Sequence, residues 1–258
     1  MKESIKQLLM MTACTMFLYV SAVSAQDDGP TGLAEIYGCN YIGNSDMDDL
    51  LAVTERFNSW ADANNMTDYT AIIHSPFIYS DQLTLDVLWV GISQNGASAG
   101  AGDALWLSAG QEVQADFDEV VNCSSHTQYA ILPINTPSAP PAEVANGPGL
   151  VTYSDCAVHD GRTVPEAMEA LGQWSEYLAE NGHDTFSGIL FALAGQRDDV
   201  DYNFKEVRTF PDAEAYGRYV DIVTAGGFLR ADELFGRLLD CDNPRVYVTN
   251  QVRQAAQE

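Results

Sequence analysis

The stretch Leu85-Asp86-Val87-Leu88-Trp89-Val90 decides the fold, because it is echoed 117 residues later by Tyr202-Asn203-Phe204-Lys205-Glu206-Val207. Three further landmarks recur in the same order at nearly the same offset. They are Tyr37-Gly38-Cys39 with Tyr153 and Cys156 (cysteines 117 apart), Trp60 with Trp174 (114), and Phe117 to Cys123 with Phe235 to Cys241 (118). Four landmarks in one order indicate an internal duplication.

The duplication predicts two similar units in tandem. The first covers residues 26–132 and the second covers 150–258. Between them, residues 133–149 hold five prolines and a single charged side chain, a composition typical of a linker.

Both repeats show the same order of predicted elements. The first helix is predicted over 46–64 and again over 164–181, with Ser45-x-x-Asp48 and Thr163-x-x-Glu166 as cap-like starts. Apolar strands and one or two further helices surround it. The predicted strands are 34–42, 69–79, 85–92 and 126–132, then 150–158, 186–194, 201–208 and 245–251. The order βαββαβ is that of a ferredoxin-like unit, so we predict an α+β protein with two such repeats.

The N-terminus predicts export to the periplasm or the medium. Two lysines precede an apolar run over 8–23, and Val23-Ser24-Ala25 is a small-residue cleavage site, as in a signal peptide of residues 1–25. A membrane anchor and a lipoprotein cut before Cys14 are the alternatives. The run is short for a membrane span, and a cut before Cys14 would leave a hydrophobic mature terminus.

The formal net charge of −25 argues against two classes of partner. A surface of this sign repels the phosphates of nucleic acids and anionic lipid headgroups. We therefore expect no nucleic-acid partner and no membrane association of the mature protein.

Four cysteines remain after removal of the signal peptide, and an exported protein is expected to pair them. In a ferredoxin-like sheet the end of the first strand lies beside the start of the fourth. The repeat and the fold therefore both predict Cys39–Cys123 and Cys156–Cys241. Zinc is the alternative, but there is no Cys-x-x-Cys pair, and we predict no metal site.

Two βαββαβ units in one chain, with the second helix broken into two pieces, resemble a fused version of the dimeric α/β-barrel superfamily. The resemblance implies two sheets packed face to face as an intramolecular α/β barrel, and a monomer. The superfamily includes cofactor-independent monooxygenases, haem-degrading oxygenases, chlorite dismutases and peroxidases. The Gly-x-x-Asp-Gly motif of dye-decolorising peroxidases is missing, as is a clear haem-ligand histidine. No catalytic residue and no cofactor are therefore predicted.

Four side chains are candidates for binding a small apolar ligand. His74 interrupts a buried strand, and Trp89 lies on the third strand of the first repeat. Lys205 and Glu206 place charge on the corresponding strand of the second repeat. Phe77, Val87 and Phe204 are expected to form an apolar wall. We predict a non-catalytic binding or interaction protein, with an oxygenase-like or haem-handling enzyme as the alternative.

Overall fold

The computed structural model describes residues 32–137 and 148–256, so the predicted signal peptide and most of the predicted linker lie outside the described residues. The first half contains β1 (Gly32–Tyr41), α1 (Met47–Ala63), β2 (Tyr69–Ile78), β3 (Val87–Ser93), α2 (Gly96–Ala109), α3 (Gln111–Val120) and β4 (Val121–Asn135). The second contains β5 (Gly149–Val158), α4 (Val164–Glu180), β6 (Ser187–Ala194), β7 (Phe204–Phe210), α5 (Ala213–Ile222), a π-helical turn (Val223–Gly227), α6 (Phe228–Phe235), β8 (Leu239–Cys241) and β9 (Arg245–Arg253).

Eight strands form a closed antiparallel barrel. The strand order is β4-β1-β3-β2 in the first half and β9-β5-β7-β6 in the second. The halves meet at two seams, where β4 pairs with β6 and β2 pairs with β9. The predicted α/β barrel is therefore confirmed, and backbone hydrogen bonds close it at both seams. The short strand β8 pairs with the end of β5 outside the barrel.

The barrel interior is one apolar core supplied by both halves. Alternate side chains of each strand point inward because successive residues of a strand face opposite sides. Leu88 and Val90 from the first half meet Tyr153, Val207 and Tyr247 from the second. The opposite face of each half-sheet is covered by helices, which enclose separate apolar clusters. Each strand thus offers two different environments.

The helix starts follow from capping chemistry. Thr163 caps α4 through the predicted box with Glu166. In α1 the prediction of Ser45 was one residue early, because Asp46 accepts from the N–H groups of Asp48 and Asp49. An aspartate closer to the free N–H groups of the first turn satisfies them directly.

The two predicted disulfides are confirmed. Cys39 is bonded to Cys123 and Cys156 to Cys241. Cys123 lies inside β4, directly opposite Cys39, rather than before the strand. In the second half the same region is split into β8 and β9 at Pro244, because proline cannot donate to a strand ladder.

Strand β4 continues into the segment predicted as linker. Pro133 and Asn135 pair with β6, whereas β4 pairs with β1 only as far as Ile131. Pro133 therefore lies where its missing N–H costs no bond to β1. Among the described helices none is long and apolar enough to cross a membrane.

Candidate functional site

A cavity of about 1130 Å³ lies between the helices and the outer sheet face of the first half. Its walls come from β1, β2, β3, the start of β4 and all three helices. Six aromatic side chains line it: Tyr37, Phe57, Tyr69, Trp89, Trp106 and Phe117. A large, mainly apolar cavity with a few convergent polar groups is the usual form of a small-molecule site.

The floor of the cavity depends on a close approach between β2 and β3. The ring of Tyr69 lies across Gly91, where a Cβ atom would come within 2.1 Å of the tyrosine hydroxyl. Trp89, two residues earlier on the same face, donates its indole N–H to that hydroxyl at 2.9 Å. Glycine at position 91 is therefore what allows an aromatic ring to lie flat on the sheet.

The helices close the cavity with an aromatic cluster centred on Phe57. Its ring packs edge-on against Trp89, Trp106 and Phe117, with centroid distances of 5.4–6.2 Å. These edge-to-face contacts hold the rings in fixed orientations. The wall is therefore rigid on the side where α1 and α3 meet the sheet.

Charged and polar side chains lie beside the aromatic floor of the cavity. Glu35 Oε1 is 3.2 Å from His126 Nε2, and the imidazole stacks on Tyr37 with a centroid distance of 3.8 Å. Asp103 of α2 lies close enough for its charge to act on both. Burial, and then the Glu35 carboxylate, raise the pKa of Asp103, while His126 lowers it. Burial also raises the pKa of Tyr37, and Glu35 and Asp103 add to that effect.

The structure places the four predicted site residues in three separate environments. Trp89 lines the cavity. His74 points instead into the barrel interior, where Nδ1 lies 3.3 Å from the Tyr153 hydroxyl and burial lowers its pKa to about 3. Two residues on opposite faces of the sheet cannot share one ligand.

Lys205 and Glu206 also lie on opposite faces of their strand. Lys205 forms an ion pair with Asp155, which Arg245 also binds. Glu206 faces the helices of the second half, where Arg208 Nη2 is 3.3 Å from its Oε1. Burial raises the pKa of Glu206, and Arg208 opposes that shift.

Two of the three expected wall residues are covered by helices, but only one lines the cavity. Val87 lines the cavity, whereas Phe204 is buried beneath the helices of the second half. Phe77 is 55% exposed, so its prediction as wall was wrong. It belongs to the end of β2, next to the exposed Ile78 and Tyr79, where no helix covers the strand.

Sequence reasoning missed the polar residues of the cavity. Glu35 and Tyr37 alternate with the interior residues Ala34 and Ile36 on β1, so strand periodicity puts them on one face. That signal was available. Asp103 follows a run of glycine and alanine whose helical face no apolar pattern identifies.

No protein-family model and no curated protein matches the sequence. Solved structures are similar in fold. A dye-decolorizing peroxidase from Bacteroides thetaiotaomicron is 10% identical with a TM-score of 0.52, covering 88% of this chain and 94% of that one. An anthrone oxidase-like protein is 14% identical with a TM-score of 0.51, covering 88% and 95%. The chain therefore shares a barrel fold with these two proteins.

Proposed function

We propose that the protein is a non-catalytic binding protein that holds a small, mainly aromatic organic molecule in the cavity of its first half. One observation carries the proposal: the first half has a cavity of about 1130 Å³ between sheet and helices. At the corresponding place, the second half holds the buried side chains of Arg208 and Phe204. Rigid aromatic walls favour flat, apolar ligands.

Filling the cavity tests this proposal. Ala101 and Ala104 of α2 are both exposed, and Ala101 lines the cavity whereas Ala104 does not. We expect the neutral fluorescent probe N-phenyl-1-naphthylamine to bind the protein, Ala101→Trp to weaken binding at least about tenfold, and Ala104→Trp to leave it unchanged. Equal binding by all three proteins would overturn the proposal.

An oxygenase-like enzyme is the second candidate, and the Glu35–His126 pair favours it. A carboxylate next to an imidazole is a common general-base arrangement. The anthrone oxidase-like protein of similar fold suggests anthrone as a trial substrate. Oxygen consumption with anthrone, lost in His126→Gln, is the expected result for an enzyme. No consumption above the buffer rate would leave the binding function as the better account.

Haem does not fit this cavity. The propionates of haem are anionic, and none of the described residues that line the cavity is lysine or arginine. The single lining imidazole, His126, is engaged by Glu35 and by the ring of Tyr37. A negatively charged ligand would meet carboxylates without a compensating cation.

We further propose that the chain is an exported, fused duplication acting as a monomer. The recurrent landmarks and the matching strand orders of the two halves support the duplication. Two disulfides are expected in an oxidising compartment. N-terminal sequencing of protein secreted from a bacterial host should begin at Gln26, and the mass in solution should be that of one chain.

A further inference from the structure

The cavity is lined by negative charge with little to balance it. Four carboxylates line it, and the described lining residues include neither lysine nor arginine. They are Glu35, Asp68, Asp103 and Asp118. Among the lining residues that the structure describes, His126 is the one side chain able to carry a positive charge, and 48% of that side chain is exposed.

The four carboxylates differ in what already binds them. Asp68 accepts from Thr67 and Ser98. Asp118 accepts from Gln114. Glu35 is beside His126, but within the described chain Asp103 has neither a hydrogen bond nor a salt bridge. Asp103 is therefore the carboxylate best able to bind something from outside the protein.

Two tyrosine hydroxyls face the same carboxylates. The charges of Glu35 and Asp103 raise the pKa of both Tyr37 and Tyr69, in addition to burial. The Tyr37 hydroxyl makes no hydrogen bond to any residue of 32–137 or 148–256. Asp103, Tyr37 and Tyr69, whose pKa values are raised, line one cavity together with Glu35, and a cation there would relieve the repulsion between the negative charges.

The walls of this space suit an organic cation better than a metal ion. Aromatic faces attract ammonium groups through the ring quadrupole, and Tyr37, Trp89 and Trp106 line the cavity. By contrast, the part of the chain that the structure describes holds no group of three or more His, Cys, Asp or Glu placed to bind a metal.

We infer that the ligand of this cavity is an organic cation, an ammonium ion carrying an aromatic or alkyl group. The inference rests on the proposed binding function and names the ligand class. Asp103 and Glu35 would neutralise the charged group, and the aromatic wall would cover its apolar part. The net charge of −25 would also draw such a ligand to the protein.

Three probes of one shape and different charge test the inference. They are phenyltrimethylammonium, neutral tert-butylbenzene and anionic benzenesulfonate, each titrated against the full-length protein by calorimetry or tryptophan fluorescence. We expect phenyltrimethylammonium to bind about tenfold more tightly than tert-butylbenzene, and benzenesulfonate not to bind.

A matched pair of variants separates local charge from net charge. Asp103→Asn should weaken phenyltrimethylammonium binding about five- to tenfold and leave tert-butylbenzene unaffected. Asp81→Asn removes the same charge from an exposed turn outside the cavity and should change neither. Folding of each variant is checked by its thermal midpoint.

The outcomes separate the two proposals. If tert-butylbenzene binds as tightly as the cation, or if Asp103→Asn and Asp81→Asn behave alike, the organic cation is the wrong ligand class while binding in the cavity stands. If none of the three probes binds, and N-phenyl-1-naphthylamine does not bind either, the proposed function itself fails.

Discussion

The two halves of the barrel place different side chains at equivalent positions between sheet and helices. Trp89 and Gly91 on β3 correspond, 117 residues later, to Glu206 and Arg208 on β7. Their partners on the neighbouring strand differ as well. These are Glu35 and Tyr37 on β1, and Thr152 and Ser154 on β5.

This difference explains why the cavity of about 1130 Å³ between sheet and helices lies in the first half. In the second half Arg208 is only 3% exposed, it neutralises Glu206, and its guanidinium lies 5.8 Å from the centre of the Tyr219 ring. In the first half glycine replaces that arginine, and the carboxylate comes from β1 instead. The same arrangement of strands therefore holds a buried ion pair in the second half and a cavity lined by carboxylates in the first.

Removing the disulfides should show that the covalent frame of the two halves is equivalent. Each bond joins residues 84 or 85 positions apart. Loop entropy then predicts that the double serine variant of either pair loses roughly 4 kcal/mol of unfolding free energy. Urea unfolding measures the unfolding free energy of the two double serine variants. A loss in one half more than twice that in the other would contradict equivalence.

Breaking the buried Arg208–Glu206 ion pair should test whether Arg208 stabilises the buried charge of the second half. Arg208→Met leaves Glu206 without its cation, and we expect a loss of about 3 kcal/mol in unfolding free energy. The double variant Glu206→Gln, Arg208→Met should recover most of that loss, because no buried charge then remains. Chemical denaturation at neutral pH measures the difference. Equal stability of the single and double variants would show that the pair is not coupled.

Adding a methyl group should test the close approach in the first half. Gly91→Ala places a Cβ atom against the Tyr69 ring, with 2.1 Å to its hydroxyl and 2.6 Å to its Cζ atom. We expect overpacking to cost about 2 kcal/mol. Gly100→Ala in α2 is the control, because its added Cβ meets no atom within 4 Å. The thermal midpoint should fall for Gly91→Ala and rise for Gly100→Ala. A midpoint that does not fall for Gly91→Ala would show that Tyr69 does not lie against Gly91.

The smallest effect concerns His74, at the junction of the halves. Burial lowers its folded pKa to about 3, so the unfolded chain binds a proton that the folded chain does not. This contribution to stability is complete above the unfolded pKa of about 6.5 and is lost as the pH falls toward 3. Between pH 7.5 and 5.5 the loss should be about 1.4 kcal/mol. His74→Gln should remove that part of the pH dependence, and urea unfolding of both proteins across this pH range measures it.

Much of the fold was predictable because it depends on patterns along the chain. The strand and helix order and both cysteine pairs follow from spacing and apolar periodicity. The extent of β4 beyond residue 132 and the short strand β8 were not predictable. The end of β4 depends on its pairing with β6, and β8 depends on its pairing with β5; both partner strands are distant in sequence.

The candidate site was less predictable than the fold. Strand alternation places Lys205 and Glu206 on opposite faces of β7, but alternation alone does not show which face meets the helices. Trp89 lines the cavity, and its role in ligand binding stays a prediction. Its polar neighbours come from β1 and α2, and their contact is set by packing rather than by sequence distance.

The sequence by itself determined the order of the eight barrel strands, the two cysteine pairs and the strongly acidic character, because each follows from patterns along the chain. Only the tertiary structure decided that the large cavity between sheet and helices lies in the first half. That outcome depends on volumes and charges that meet across strands: Gly91 under the ring of Tyr69 in one half, Arg208 beside Glu206 in the other. Side chains fill or leave space according to their neighbours in three dimensions, and the linear sequence does not specify those neighbours.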